Sequence, residues 1–472
     1  MFCFGLDNMA HFMISAAHKS SGKTTVSIGL CASLASRGLK VQPFKKGPDY
    51  IDPLWLGQAA GHVCYNLDFY TMPGHEIETL FAGRMAGADI GVIEGNKGLY
   101  DGLDINGSNS NAALAAALDA PVVLVLDTRG MTRGIAPLVL GYQSFDPDIH
   151  IAGVILNSVG GSRHEAKLRN VIEHYTDVQV LGAIPRNPEL QIVERHLGLM
   201  PSNEADAAQQ RIDAIARHVQ NNMDMNALLQ IAARAGMPAA QWQPQVQVST
   251  RVSIAYARDA AFGFYYPDDL QTLSAAGARL IPFDALNDDR LPDADGLFIG
   301  GGFPETSMDQ LAANTGMLES IRRFIEQGGP AYAECGGLMY LARGIEWQGK
   351  TSPMVGVIPA DVKMHQKPQG RGYVRLCETG RHPWPPIEGS DSVVLAHEFH
   401  YSGLENIQPG LSYAYQVERG YGVDGQNDGI IYKNLLASYS HMRNVGSNQW
   451  ARRFVAHVDA CKDREISLRK RG

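Results

Sequence analysis

The sequence predicts an α/β protein made of two doubly wound domains, and three observations predict it. Apolar runs of strand length alternate with helical stretches from His11 to Ile184, the pattern of a parallel sheet covered by helices on both faces. Within that half, the segment around Ser15 to Thr25 reads as strand, small-residue loop and helix. In the second half, Pro330 to Leu341 again reads as strand, tight turn and helix. Between them, Pro238 to Pro244 and the Gln-Val alternation that follows mark a linker, with the boundary near residue 245.

Composition bounds the function classes. The chain has 472 residues, 45% hydrophobic and 19% charged, enough to bury the cores of two or three domains. A formal net charge of −8 gives no general attraction to nucleic acid or to a membrane surface. The one basic run, Lys462 to Arg471, reads as a solvated end. No apolar run approaches the roughly 18 residues of a membrane span. The start, MFCFGLDNMAHF, has neither a basic leader nor a long apolar region, so it is read as a short extension before Met9, not a secretory signal. Six scattered cysteines form no C-x-x-C and no disulfide-like framework, which points to a reducing, cytoplasmic setting.

The first half is organised around SAAHKSSGKTT. Loops of this kind bind phosphate, because successive backbone N–H groups and a helix N-terminus face one anion. Ser20, Ser21, Gly22 and Thr25 belong to that loop; Lys23 reaches the terminal phosphates and Thr24 holds Mg²⁺ through its hydroxyl. Ala17 stands where the strict phosphate-loop pattern has its first glycine. The next strand ends in KKGPDYIDP, a rigid polar loop at the ligand-binding end of the sheet. Its Asp49 and Asp52 serve either Mg²⁺ or a reacting substrate. The strand from Asp89 ends in Glu94, an acid placed to hold Mg²⁺ directly or through water. The strands Pro121 to Asp127 and Ile151 to Leu156 continue the sheet. Asn157, at the end of the latter, is read either as a contact to adenine or as a plain loop residue. A helix is expected over Glu204 to Ala235.

The second half carries the other chemistry. Val252 to Ala257 is a strand, Ala261 to Tyr266 an aromatic loop, and Gly296 to Ile299 a strand emptying into GGGFPE. Glu334-Cys335-Gly336-Gly337 forms a nucleophile elbow with cysteine in the serine position. The helix N-terminus behind Cys335 is expected to favour thiolate. Backbone N–H groups of Gly336 and of the Gly300–Gly302 loop, Gly301 among them, form the expected oxyanion hole. The base is one of His365, His382, His397, His400 and His441, and the residues alone do not choose among them.

Together these motifs, with CYNLDFY and EGNKGLYDG, resemble the glutamine-dependent a,c-diamide synthases of the cobyrinic and hydrogenobyrinic acid group, in the family's order and over nearly the whole chain. The resemblance implies a dethiobiotin-synthetase-like ATP domain over 12–240, a linker over 241–249, a class I glutaminase domain over 250–445, and a tail over 446–472. It implies that ATP phosphorylates an acetate carboxylate of a tetrapyrrole polycarboxylate and that ammonia from L-glutamine displaces the phosphate, first on the c and then on the a side chain. Cys335 becomes the nucleophile and His441 its activator. Asp49, Asp52, Glu94 and Asp101 fall at the family's acidic positions, with Thr24, Asp49 and Glu94 given to metal and Tyr50, Asp52, Lys97 and Asp101 to substrate. A homodimer is left open. Class I glutaminases usually carry Glu two residues after the catalytic His, whereas Arg443 stands here, so the third triad member is absent or comes from elsewhere. Lys97 in GNKGL also departs from the family's loop and resembles the siroheme or sirohydrochlorin amidases. A partition-type switch ATPase is the rival; it needs lysine where His18 stands and has no use for the Cys335 elbow.

Overall fold

A computed structural model describes residues 10–190, 205–236, 238, 248–386 and 392–469. The expected linker from 241 to 247, the extension before Met9, and Lys470 and Arg471 of the basic run lie outside the described residues. The chain forms two compact units, one carrying the described residues up to 238 and the other those from 248 onward.

The first unit holds, among the described residues, a sheet of seven strands: β1 (Ala10–Ala16), β2 (Val41–Lys46), β3 (Tyr65–Leu67), β4 (Ile90–Glu94), β5 (Val122–Asp127), β6 (Ile151–Val159) and β7 (Gln179–Pro185). Their spatial order is β3-β2-β4-β1-β5-β6-β7, and every pairing is parallel. β1, β2 and β4 are buried along their whole length, which is why they read as continuous apolar runs and not as alternation. Helix α1 (Lys23–Ser36) follows β1 and α2 (Ile51–Ala60) follows β2, so both helices open at the carboxyl edge of the sheet, where such folds bind ligands. The helix expected over 204–235 is two helices, Ala205–Gln220 and Met225–Ala232. Asp224 interrupts them, because its Oδ1 accepts from the N–H groups of Asn226 (3.1 Å) and Ala227 (2.9 Å) and starts a new helix.

The second unit has a sheet of nine described strands. Five are mutually parallel: Ala278–Phe283, Val252–Ala257, Gly296–Ile299, Ala331–Glu334 and Leu435–Ser438. The other four, Asn427–Tyr432, Ser412–Arg419, Gly370–Glu378 and Val393–His400, continue it antiparallel. Part of the expected loop at 261–266 is a strand, Phe262–Phe264, paired antiparallel with Gly301–Gly302. The stretch after 445, expected as a tail, forms the helix Trp450–Arg469. Trp450, Phe454, Val455 and Val458 are buried in one core cluster with Tyr332 and Trp384, and Arg453 pairs with Glu378 at 2.5 Å. A basic sequence end hid an apolar helix face. Among the described residues no helix is long and apolar enough to cross a membrane.

Phe454 touches the rings of Trp384 and Tyr332, at 5.2 and 6.1 Å between centroids. Phe454→Ala is expected to destabilise this unit by about 3–5 kcal/mol, read as a lowered midpoint in denaturant unfolding followed by tryptophan fluorescence. A loss below about 1 kcal/mol would mean that the last helix is an appendage.

Candidate active site

At the end of β1 the backbone turns sharply, with Ser20 at φ 62° and Gly22 at φ 88°. A Cβ on Gly22 would lie 2.2 Å from Asn157 Nδ2, so the loop closes only with glycine there. Asn157 donates to the Ser21 carbonyl at 2.8 Å, and Ser21 Oγ donates to the His18 carbonyl at 2.8 Å. The donor end of Asn157, read as a contact to adenine or a plain loop residue, thus tethers the loop from β6. Lys23 opens α1 and spans to the Lys97 carbonyl at 2.7 Å; Thr24 and Thr25 follow in the first turn. Burial, and next the charge of Lys45, lower the Lys23 ammonium to about 8, against the opposing pull of Glu94, Asp52 and Asp101. An arriving polyanion reverses that deficit, so the loop is electrostatically incomplete without one.

Lys45 is the centre of the acidic cluster, and the sequence reading passed over it as part of a polar loop. It is buried near the end of β2, with Nζ 2.5 Å from Asp52 Oδ2, 2.6 Å from Glu94 Oε1 and 3.8 Å from Asp49 Oδ2. Burial works against its charge, but Asp52, Glu94 and Asp49 overrule it and hold the ammonium above its ordinary range. Thr24 Oγ1 donates to Glu94 at 2.9 Å and lies 3.3 Å from Asp52. The acid beside Thr24 and Glu94 is therefore Asp52. Asp49 instead caps α2, its Oδ1 accepting from Ile51 (2.9 Å) and Asp52 (3.1 Å). Burial and the neighbouring Asp52 push Asp49 up to about 7. Tyr50 is buried at the start of α2. Lys97 and Asp101 are exposed, and Asp101 accepts the Gly98 N–H at 2.9 Å.

In the second unit, Cys335 sits between strand Ala331–Glu334 and helix Gly336–Leu341 at φ 46°, ψ −102°. Such backbone costs on the order of 1–3 kcal/mol and persists where its surroundings fix it. Here the Cys335 N–H donates to the Ser438 carbonyl at 2.7 Å. A Cβ on Gly336 would lie 2.8 Å from the Gly302 nitrogen, and one on Gly301 would lie 2.4 Å from His441 Cε1. The elbow, the Gly301–Gly302 strand and the His441 ring therefore converge without room for side chains. The expected preference of the helix N-terminus for thiolate is opposed here. Burial pushes the Cys335 thiol well up, the nearby Glu305 charge adds to it, and the Gly336 N–H pulls the other way.

His441 follows the adjacent parallel strand, and the Glu334 carboxylate is the acid that faces its ring, with Oε2 3.4 Å from Nδ1. Glu334 is itself fixed, its Oε1 accepting from Tyr332 Oη (2.6 Å) and from the Met442 N–H (2.9 Å). Sequence reasoning missed Glu334 as a partner, although an acid ending a buried apolar strand signals that a donor must meet it. His441 and His397 exchange backbone hydrogen bonds of 2.8 and 3.3 Å, and their rings stack at 5.0 Å. Burial, then His441 and Arg443, push the His397 imidazole well below its ordinary range. Arg443, in the usual place of the triad acid, is buried, pairs with Asp268 at 2.8 Å and covers the Tyr266 ring at 4.2 Å. His382 bonds Tyr415 Oη at 2.8 Å, and His400 bonds the Ser402 carbonyl at 2.8 Å.

Comparison with known proteins agrees with this division. Residues 12–199 match the family model of the CobQ/CobB/MinD/ParA nucleotide binding domain, and residues 253–448 match that of the CobB/CobQ-like glutamine amidotransferase domain. The chain is 47% identical to a cobyrinate a,c-diamide synthase of Magnetococcus marinus, over 93% of this chain and 95% of that one. It is 40% identical to the protein of that name in Methanosarcina acetivorans (93% and 93%) and 38% to that of Caldanaerobacter subterraneus subsp. tengcongensis (94% and 97%). The elbow and the phosphate loop thus fall in the two matched domains, and the chain belongs to the cobyrinate a,c-diamide synthase family of glutamine-dependent, amide-forming ligases.

Proposed function

We propose that the protein converts the a and c acetate carboxylates of cobyrinic or hydrogenobyrinic acid to amides, using ATP and glutamine. The observation that carries this reading is the presence in one chain of a strained thiol elbow and a phosphate loop beside buried carboxylates. A switch ATPase needs no thiol, and a free-standing glutaminase needs no ATP loop. The named relatives supply the substrate class.

In the glutaminase half, Cys335 Sγ attacks the carboxamide carbon of glutamine while its proton passes to His441. Backbone N–H groups of Gly336 and the Gly301–Gly302 strand face the oxygen that gains charge. His441 returns the proton to the leaving nitrogen, ammonia departs, and water releases glutamate from the thioester. Glu334 holds the imidazole and offsets its charge when protonated.

In the nucleotide half, a substrate carboxylate oxygen attacks the γ-phosphorus of ATP, giving an acyl phosphate and ADP. Ammonia then attacks the acyl carbon, phosphate leaves, and the nitrogen sheds a proton. Lys23 and the loop N–H groups, from Ser20 to Thr25, hold the phosphates. Tyr50, Lys97 and Asp101 are assigned to the substrate. Thr24 Oγ1 and Glu94, with Asp52 beside them, fit Mg²⁺; Glu94 Oε2 is buried without a hydrogen-bond partner. Among the described residues no ready-made three-ligand cage of His, Cys, Asp or Glu exists, in keeping with an ion that takes one or two carboxylates and completes its shell with phosphate and water. When bound, Mg²⁺ supplies charge stabilisation to the phosphates.

Incubation with ATP, Mg²⁺ and glutamine against cobyrinic acid, hydrogenobyrinic acid, sirohydrochlorin and siroheme tests the reading. Mass spectrometry is expected to show two successive amidations of one of the first two; amidation confined to the siroheme pair would overturn the substrate. Cys335→Ser is expected to abolish glutamine-dependent amidation and to keep amidation driven by ammonium salt, and loss of both would refute the division of labour. Glu334→Gln should lower the glutamine-dependent kcat by about 10²–10⁴-fold with a much smaller change in the KM for glutamine. Because the Lys23 ammonium is lowered to about 8, it is lost from the free enzyme as pH rises through that value. The kcat/KM for ATP should therefore fall between about pH 7 and 9, while hydrolysis of glutamine without ATP does not follow that fall.

A further inference from the structure

Glu305 is a buried acid that the reaction above does not use. It lies in the short turn Pro304–Ser307, one residue past Gly301–Gly302, and only 6% of its surface is exposed. This turn packs on helix Gly336–Leu341, which begins at the thiol elbow. Glu305 Oε2 is buried with no hydrogen-bond partner. Burial pushes its carboxyl up to about 7, relieved only by its own backbone N–H, and no basic side chain among the described residues offsets the cost. Its proximity to the reaction centre is registered at the thiol, where the Glu305 charge is the largest influence after burial. An acid left unpaired in an apolar place is expensive and is kept where a ligand completes it.

Glutamine brings one cation, its α-ammonium, a few bonds from the carboxamide that Cys335 attacks. We propose that Glu305 receives the α-ammonium of glutamine and so selects a free amino acid over other carboxamides. The assignment rests on the glutaminase reading of Cys335. The carboxylate accepts N⁺–H bonds, which replace the water that the ammonium loses on entry, and the pairing seats the carboxamide at Sγ. A site built around such a pair rejects an analogue that lacks one member, because the remaining group is then buried alone.

The test compares hydrolysis of glutamine with that of 4-carbamoylbutanoate, the same molecule without the amino group, by the full-length enzyme. Wild type is expected to favour glutamine by about 10²-fold or more in kcat/KM. Glu305→Gln should collapse that ratio toward one, chiefly by raising the KM for glutamine, and Glu305→Asp, which keeps the charge, should retain part of it. Both substrates use the same thiol, so the ratio is insensitive to a general loss of folded enzyme. An unchanged ratio in Glu305→Gln, or an equal fall in kcat for both substrates, would overturn the assignment and give Glu305 a structural or proton-transfer role. A wild type that hydrolyses neither substrate would instead refute the glutaminase reading itself.

Discussion

Both halves of the chain depend on one constraint: a carboxylate that ends a fully buried parallel strand must be matched by a specific donor. Glu94 ends β4 and Glu334 ends Ala331–Glu334, and both are almost wholly inaccessible to water. An ionised acid in such a place costs several kcal/mol unless it is paired and hydrogen-bonded. In the first unit the match is Lys45, with the Thr24 hydroxyl as second donor. In the second, Tyr332 Oη and the Met442 N–H donate to Glu334 Oε1, and the His441 ring faces Oε2 at 3.4 Å. Each match stands beside a side chain that the proposed reaction uses: Thr24 at the opening of α1, and the imidazole beside the thiol elbow.

The two pairings differ in what they leave over. Around Lys45 stand three carboxylates, and burial first, with the neighbouring Asp52 adding to it, pushes Asp49 and Glu94 up against the pull of Lys45. Lys23 and, nearby, Lys46 are lowered chiefly by burial, and on the proposed reading this cluster receives a divalent cation and a polyanion together. Around His441, burial holds the stacked His397 well below its ordinary range, and Arg443 pairs with Asp268.

What the sequence disclosed followed from period and punctuation. Continuous apolar strands, small-residue loops and the two elbows are local patterns, and the structure carries them at Lys23, Glu94 and Cys335 as expected. Lys45 stayed hidden because a lysine between polar neighbours reads as loop, whereas a strand covered on both faces buries every position, including charged ones whose partners lie on another strand. Glu334 stayed hidden for the same reason: its partner is 107 positions away, and only the parallel pairing of neighbouring strands brings them together. The last helix was misread because a basic end outweighed Trp450, Phe454 and Val458, spaced as one helix face.

The thiol shows how burial can outrank local electrostatics. A single short helix and one N–H favour thiolate at Cys335, yet desolvation pushes the thiol strongly the other way. A permanently charged sulfur so deeply buried would draw water or a counter-ion into the elbow. In the proposed reaction charge separates only once a carboxamide is seated, when the developing oxyanion meets the N–H groups of the elbow. The glycines at 301 and 336 serve that order of events: by admitting backbone where side chains would stand, they let the receiving donors be built before the charge exists.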